Sequence, residues 1–363
     1  IQYKIIAALI LFAVGTGAFV TLGDTLISFY LQGEGSAEDI LQVAEYSRSY
    51  LKIMLLGILP FALSNVYSSS LRETNDRIIP MISTVTAVFT NLILNYCLIF
   101  GNFGFPEMGI GGAALASFCA EVSAFTFFTI YSYITLRNKD YGMFKLHRLE
   151  SELMGRILKL ATPTMIQKLF SFSVWFIFFI LIEKMGETAT GISSIVRSVY
   201  MILITPCFAF ATTTNTVVSR IIGEGHSDQV FSTINKILKN CLLCTIPIMI
   251  LVAIFPIQIA RIYTDDLNLA QLVVPSIYVI CFGTIFQSIG NAYFEAVSGT
   301  GNTSAALYLE AVILVIYVAF IWAMTHLTTR VELVWTAEIL YGALLGILCG
   351  IYMKFAKWDK KRV

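Results

Sequence analysis

Ten stretches of about 20 or more predominantly apolar residues run along the chain, centred near Val14, Gly57, Val88, Val122, Trp175, Thr205, Pro247, Phe282, Val315 and Leu345. A stretch of that length crosses the hydrocarbon core of a bilayer as a helix. Backbone polar groups have no water to bond there, so only helices or a closed barrel can span. A barrel would show ten-residue segments of strict alternation, and none is present. Charged residues make up 13% of the chain, about half the share in soluble domains. The fold class is therefore all-α and polytopic, with helices joined by segments too short to fold as soluble domains. A net charge of +1 gives no basic surface for nucleic acid.

Lys and Arg collect in cytoplasmic loops. With Ile1 placed inside and the spans alternating, most of them fall on the inner side. The longest basic run lies between Arg137 and Lys159, and Lys354 to Arg362 forms another. Lys184, Arg261 and Arg330 are the main exceptions. Both ends are thus expected in the cytoplasm, with bacterial plasma membrane as the location. The seven cysteines all sit in apolar segments. Cys241-x-x-Cys244 has the spacing of a redox or metal pair, but in such a helix two small apolar residues are the plainer reading.

The segments Gly57–Tyr67 (GILPFALSNVY) and Gly283–Tyr293 (GTIFQSIGNAY) share Gly, Asn and Tyr at one offset, so Asn65 matches Asn291 and Tyr67 matches Tyr293. The same offset carries Asn75-Asp76 onto Gly301-Asn302, each in a short turn between spans. A duplication with both halves in one membrane orientation is expected, its bundles related by an axis along the membrane normal. The second half has two helices, near Trp175 and Thr205, with no counterpart in the first. About seventy residues, enough for two helices, are expected upstream of Ile1. The reading is a fragment of a twelve-helix protein of six plus six. Residues 1–136 form a first lobe of four helices, 137–156 a basic linker, and 157–363 a second lobe of six.

Several segments resemble the multidrug and toxic compound extrusion (MATE) transporters, of the MOP flippase superfamily. GIGGAALAS (Gly109–Ser117) looks like the start of that family's sixth helix. LRETNDRIIP (Leu71–Pro80) is similar to its Arg-x-x-Gly-Asp turn, with Asn75 in place of Gly. GETATGISSIVRS (Gly186–Ser198) and NTVVSRIIGEG (Asn215–Gly225) resemble its eighth helix and exit, with Ser219-Arg220 where Gly-Gln is usual. The resemblance covers the whole chain and implies two six-helix lobes about a central cavity, exporting by alternating access on a proton or sodium gradient. It implies a Glu in the seventh helix and an Asp in the tenth for sodium-driven members. Those positions hold Ser171 and, closely, Gln287. The family's coupling carboxylates therefore do not transfer to this chain.

Polar groups in a span cost about 2.5–3.5 kcal/mol per charge on insertion scales, so each needs a reason. Glu121 is the most central carboxylate and a candidate proton carrier, or a structural acid bonded between helices. Glu295 shares a helix face with Asn291, four residues earlier. Lys168 and Arg197 lie deep enough to pair with these acids, to face an anionic substrate, or simply to pack. Glu310 and Glu338, within about seven residues of a helix start, are expected to reach the interface. Asn65, Asn291 and Tyr293 are candidates through the repeat. The plainer reading is a symmetric helix-to-helix hydrogen bond, with Gly57 and Gly283 allowing close approach. Pro163 and Pro206 are expected to interrupt their helices.

No phosphate-binding Gly-x-x-x-x-Gly-Lys-Ser/Thr loop, His-Glu-x-x-His or acidic metal cluster is present. The expectation is a secondary antiporter that exports drugs and organic cations for H+ or Na+, with no cofactor. Its partners would be a small amphipathic substrate and membrane lipids, and it would act as a monomer. The alternative is a flippase for lipid-linked oligosaccharide or another lipid precursor, favoured by inward Lys and Arg. An embedded enzyme would need a cluster of catalytic groups at one depth, which the sequence does not show.

Overall fold

The structure, a computed structural model, describes residues 5–6, 9–10, 12–17, 19, 37–73, 78–136 and 150–356. Nine helices among these are long and apolar enough to cross a membrane. They are α1 (Ala37–Glu73), α2 (Ile78–Phe100), α3 (Gly109–Tyr131), α4 (Ser151–Glu183), α5 (Glu187–Gly223), α6 (Val230–Ile254), α7 (Leu267–Gly299), α8 (Thr303–Leu327) and α9 (Ala337–Phe355). The apolar stretch around Val14 lies largely outside the described residues, and the described parts of it are helical. Asn75-Asp76 and most of the basic run from Arg137 lie outside them too. No strand occurs among the described residues. The chain divides into two units, Ile1–Ser151 and Glu152–Val363.

In the first unit α3 packs against both α1 and α2. Lipid tails are as apolar as leucine, so spans associate through close packing, which small residues permit. Gly112, Ala116, Ala120 and Ala124 form a buried stripe at four-residue spacing on α3. At Gly112 the approach is closest, since a Cβ there would lie 2.5 Å from the Leu98 carbonyl oxygen of α2. The hairpin between α2 and α3 turns at Gly101, whose φ of 68° suits glycine. Tyr67 of α1 stacks on Phe128 of α3 at 6.2 Å between ring centroids.

In the second unit α7 is the hub, packed most extensively against α5 and α9 and also against α6. Gly290 of α7 and Gly342 of α9 meet at the crossing. A Cβ on Gly290 would stand 2.5 Å from the Gly342 carbonyl oxygen, and one on Gly342 would stand 2.7 Å from the Gln287 nitrogen. A second layer is aromatic. Trp335, in the short helix Val331–Trp335 ahead of α9, packs edge-on against Phe178 at 4.9 Å and donates its indole N–H to Ser193 Oγ at 3.2 Å. The backbone of α4 makes few close approaches, and its side chains carry the contacts.

Three local expectations are corrected. Pro163 and Pro206 do not interrupt their helices, because both sit inside continuous α4 and α5. Among the described residues, Asn65 and Asn291 make no helix-to-helix bond through their amide nitrogens. Each donates to the carbonyl one turn back, Asn65 to Phe61 at 2.9 Å and Asn291 to Gln287 at 2.8 Å. The matched glycines both stand at helix contacts. Gly57 of α1 faces Phe118 of α3, and Gly283 of α7 faces Ile339 of α9. Third, Glu310 and Glu338 do not reach an interface, being only 3% and 4% exposed. Depth along one's own helix does not set burial when side chains from neighbouring helices close over the position.

Candidate functional site

A cavity of about 450 Å³ opens inside the second unit, walled by α4, α5, α7, α8 and α9. Two buried carboxylates converge on it. Glu338 stands in the first turn of α9, after the break at Thr336. Its Oε2 accepts from the Tyr200 hydroxyl of α5 at 2.7 Å and from Gln287 Nε2 of α7 at 2.8 Å. Its Oε1 accepts from the Tyr317 hydroxyl of α8 at 2.7 Å. Gln287 is itself oriented, since its Oε1 accepts from Asn291 Nδ2 at 3.0 Å. Donors from three helices thus meet on one acid, and both its oxygens are bonded.

Glu310 of α8 differs. Its Oε1 accepts from Ser171 Oγ of α4 at 2.7 Å and from the Tyr341 hydroxyl of α9 at 2.8 Å. Its Oε2 is buried with no hydrogen-bond partner. The Tyr317 and Tyr341 rings, 5.6 Å apart, join the two acid clusters. Unpaired polar atoms in a low-dielectric interior are costly, and they mark places where a ligand can be taken up.

Ser171 and Gln287, where the family resemblance leads one to expect carboxylates, each donate to a carboxylate on a facing helix. The acids stand across the hydrogen bond from the positions first considered. Glu295 also lines the cavity, half-buried, and its Oε2 accepts from Asn215 Nδ2 of α5 at 2.8 Å. Lys168 is exposed on the wall. Arg197 is not part of this lining; its guanidinium lies over the Phe179 ring at 5.1 Å from the centroid. Tyr293 is half-buried and packs with the second apolar cluster of the unit. Trp175, Phe172, Met201, Phe208 and Phe294 supply an apolar, aromatic wall.

The other nominated residues belong to the first unit. Glu121 is half-buried on α3, one turn beyond Ser117. Ser117 Oγ accepts from Asn91 Nδ2 at 3.2 Å, and Asn95 Nδ2 donates to Asn91 Oδ1 at 2.9 Å. Asn65 is exposed on α1. In the second unit Cys241 is buried and Cys244 exposed. Cys241 packs with Thr245 and does not face its sequence partner.

The MatE family model matches residues 1–97 and 163–323. A probable multidrug resistance protein NorM of Thermotoga maritima is 28% identical over 367 residues, spanning 97% of this chain and 75% of that protein. One of Bacillus cereus is 24% identical, spanning 86% and 69%. Among solved structures, an outward-facing multidrug resistance transporter of the MATE family superposes with a TM-score of 0.83 at 19% identity, covering 97% of this chain and 76% of that one. A MOP superfamily transporter from Pyrococcus furiosus does so at 0.82 and 18%, covering 99% and 79%.

Proposed function

The chain belongs to the MATE transporter family, and on that premise we propose that it exports amphipathic organic compounds, organic cations among them, in exchange for H+ or Na+ by alternating access. The observation that carries this reading is the cavity of the second unit, where Glu310 and Glu338 are buried inside an otherwise apolar bundle. Acids held in spans at such a cost mark ion or substrate paths, or pair with polar groups inside the bundle. The cavity wall supports the choice of substrate. It carries three carboxylates, Glu295, Glu310 and Glu338, and the one cation Lys168, beside aromatic and Met side chains. Acidic and aromatic walls suit an organic cation, whereas a phosphorylated lipid headgroup would call for several inward Lys and Arg.

The protein acts as a monomer in the bacterial plasma membrane, with both ends of this chain on the cytoplasmic side. Names given to relatives, probable multidrug resistance proteins, agree with this reading. The test is ethidium accumulation in cells making the full-length protein. Expression is expected to lower accumulation. Collapsing either the proton gradient with a protonophore or the sodium gradient by ion replacement is expected to restore it. Efflux that persists when both gradients are removed, or no efflux of any cationic dye, overturns the proposal.

A further inference from the structure

We propose that Glu310 Oε2 is the atom that takes the coupling cation, and that Glu338 is a positioning residue which holds the surrounding helices. The inference rests on the transport reading and names the residue within it. Among the described residues, Glu310 Oε2 is the one buried carboxylate oxygen with no hydrogen-bond partner. It belongs to a residue that lines the cavity and is 3% exposed. A proton or a sodium ion can attach there without breaking a bond, because Ser171 and Tyr341 both donate to the other oxygen. Glu338 offers no such vacancy. A cation on either of its oxygens competes with Tyr200, Gln287 or Tyr317.

The ligand is a monovalent cation that favours hard oxygen donors, and both H+ and Na+ answer that description. The titratable and charged groups that share the cavity with Glu310 are Lys168 from α4, Tyr200 from α5, Glu295 from α7, Tyr317 on α8 itself, and Tyr341 and Glu338 from α9, with Cys349 of α9 also near the acid. Lys168 is exposed, and the tyrosines near the acid act as neutral donors. The carboxylates are therefore the groups on this wall that can take up a cation.

The readout is intrinsic tryptophan fluorescence, to which Trp175 on the cavity wall contributes, in the full-length protein reconstituted in nanodiscs. One arm adds NaCl at alkaline pH; the other adds acid in sodium-free choline buffer. Wild type is expected to respond saturably in at least one arm, and the responding arm names the cation. In Glu310→Gln, which keeps the Oε1 acceptor, the response is expected to weaken about tenfold or more, while Glu310→Asp keeps it. The exchange Ser171→Glu with Glu310→Ser moves the acid across the 2.7 Å hydrogen bond and is expected to restore it. A wild-type protein silent in both arms, or Glu310→Gln titrating as wild type, overturns the inference. Cation binding without gradient-driven efflux would instead overturn the transport reading and leave Glu310 Oε2 as a cation site with no transport coupled to it.

Discussion

Gly342→Ala is expected to abolish the native packing of the second unit. The added Cβ would lie 2.7 Å from the Gln287 nitrogen, 2.7 Å from the Phe286 carbonyl carbon and 2.9 Å from its oxygen. All three are backbone atoms of α7, so no side-chain rotation relieves the clash. Gly290→Ala meets the same crossing from the other side, 2.5 Å from the Gly342 oxygen. The helices must part, and overpacking that moves backbone costs about 1–3 kcal/mol or more. The damage reaches the cavity directly. Glu338 lies one turn before Gly342, and Gln287 Nε2 bonds both its side chain and its carbonyl oxygen, at 2.8 and 3.1 Å. Parting α7 from α9 therefore pulls the acid from its donors. The check is thermal unfolding of the purified full-length protein beside Gly350→Ala, where nothing lies within 4 Å of the added carbon. Gly350→Ala is expected to melt as wild type or slightly higher, since Ala favours a helix over Gly by up to about 1 kcal/mol. Equal melting of Gly342→Ala and Gly350→Ala would show that the two helices do not cross at these glycines.

Much of the architecture is legible because the bilayer leaves a chain few options. Twenty apolar residues in a row have one fold available to them, and the spans from α1 to α9 fall where the sequence places them. The matched Gly, Asn and Tyr are legible as a pattern, but the bonds that the two Asn make are not. Asn65 and Asn291 suggested a bond across helices. The structure shows two intrahelical bonds, while Gly57 and Gly283 each stand at a helix contact. The acids were misjudged for a related reason. Glu338 looks shallow because it starts a helix, yet the helix it starts is tucked behind Trp335 and capped by tyrosines from α5 and α8. Nothing within a few residues of Glu338 or Glu310 announces those partners. Ser171 and Glu310 are 139 positions apart, and Gln287 and Glu338 are 51 apart. One signal was available. Ser171 and Gln287 are small or neutral where the resemblance calls for acids, and a polar bundle that has lost two acids invites a search for replacements on the neighbouring spans.

Glu338→Ala is expected to cost more than the loss of any single contact in this cavity. Removing the carboxylate leaves the Tyr200 and Tyr317 hydroxyls as buried donors without their acceptor, while Gln287 Nε2 keeps the backbone carbonyl of residue 338 at 3.1 Å. Each stranded group carries a penalty of about 1–3 kcal/mol. Such penalties are not additive, and two stranded hydroxyls put the expected loss at about 2–4 kcal/mol. That is a large share of the stability of an ordinary domain, about 5–15 kcal/mol. Glu338→Gln is expected to fall between, because it keeps one acceptor oxygen and a tyrosine hydroxyl can turn to accept from the new NH2. The sharper measurement is the cycle with Tyr317→Phe. If the cost of Glu338→Ala comes from stranded donors, deleting one of them must return part of it, so the double variant melts above the sum of the two single losses. Strict additivity would mean that the Tyr317–Glu338 bond does not hold α8 to α9. Glu338 would then have to be explained as something other than the knot of the bundle.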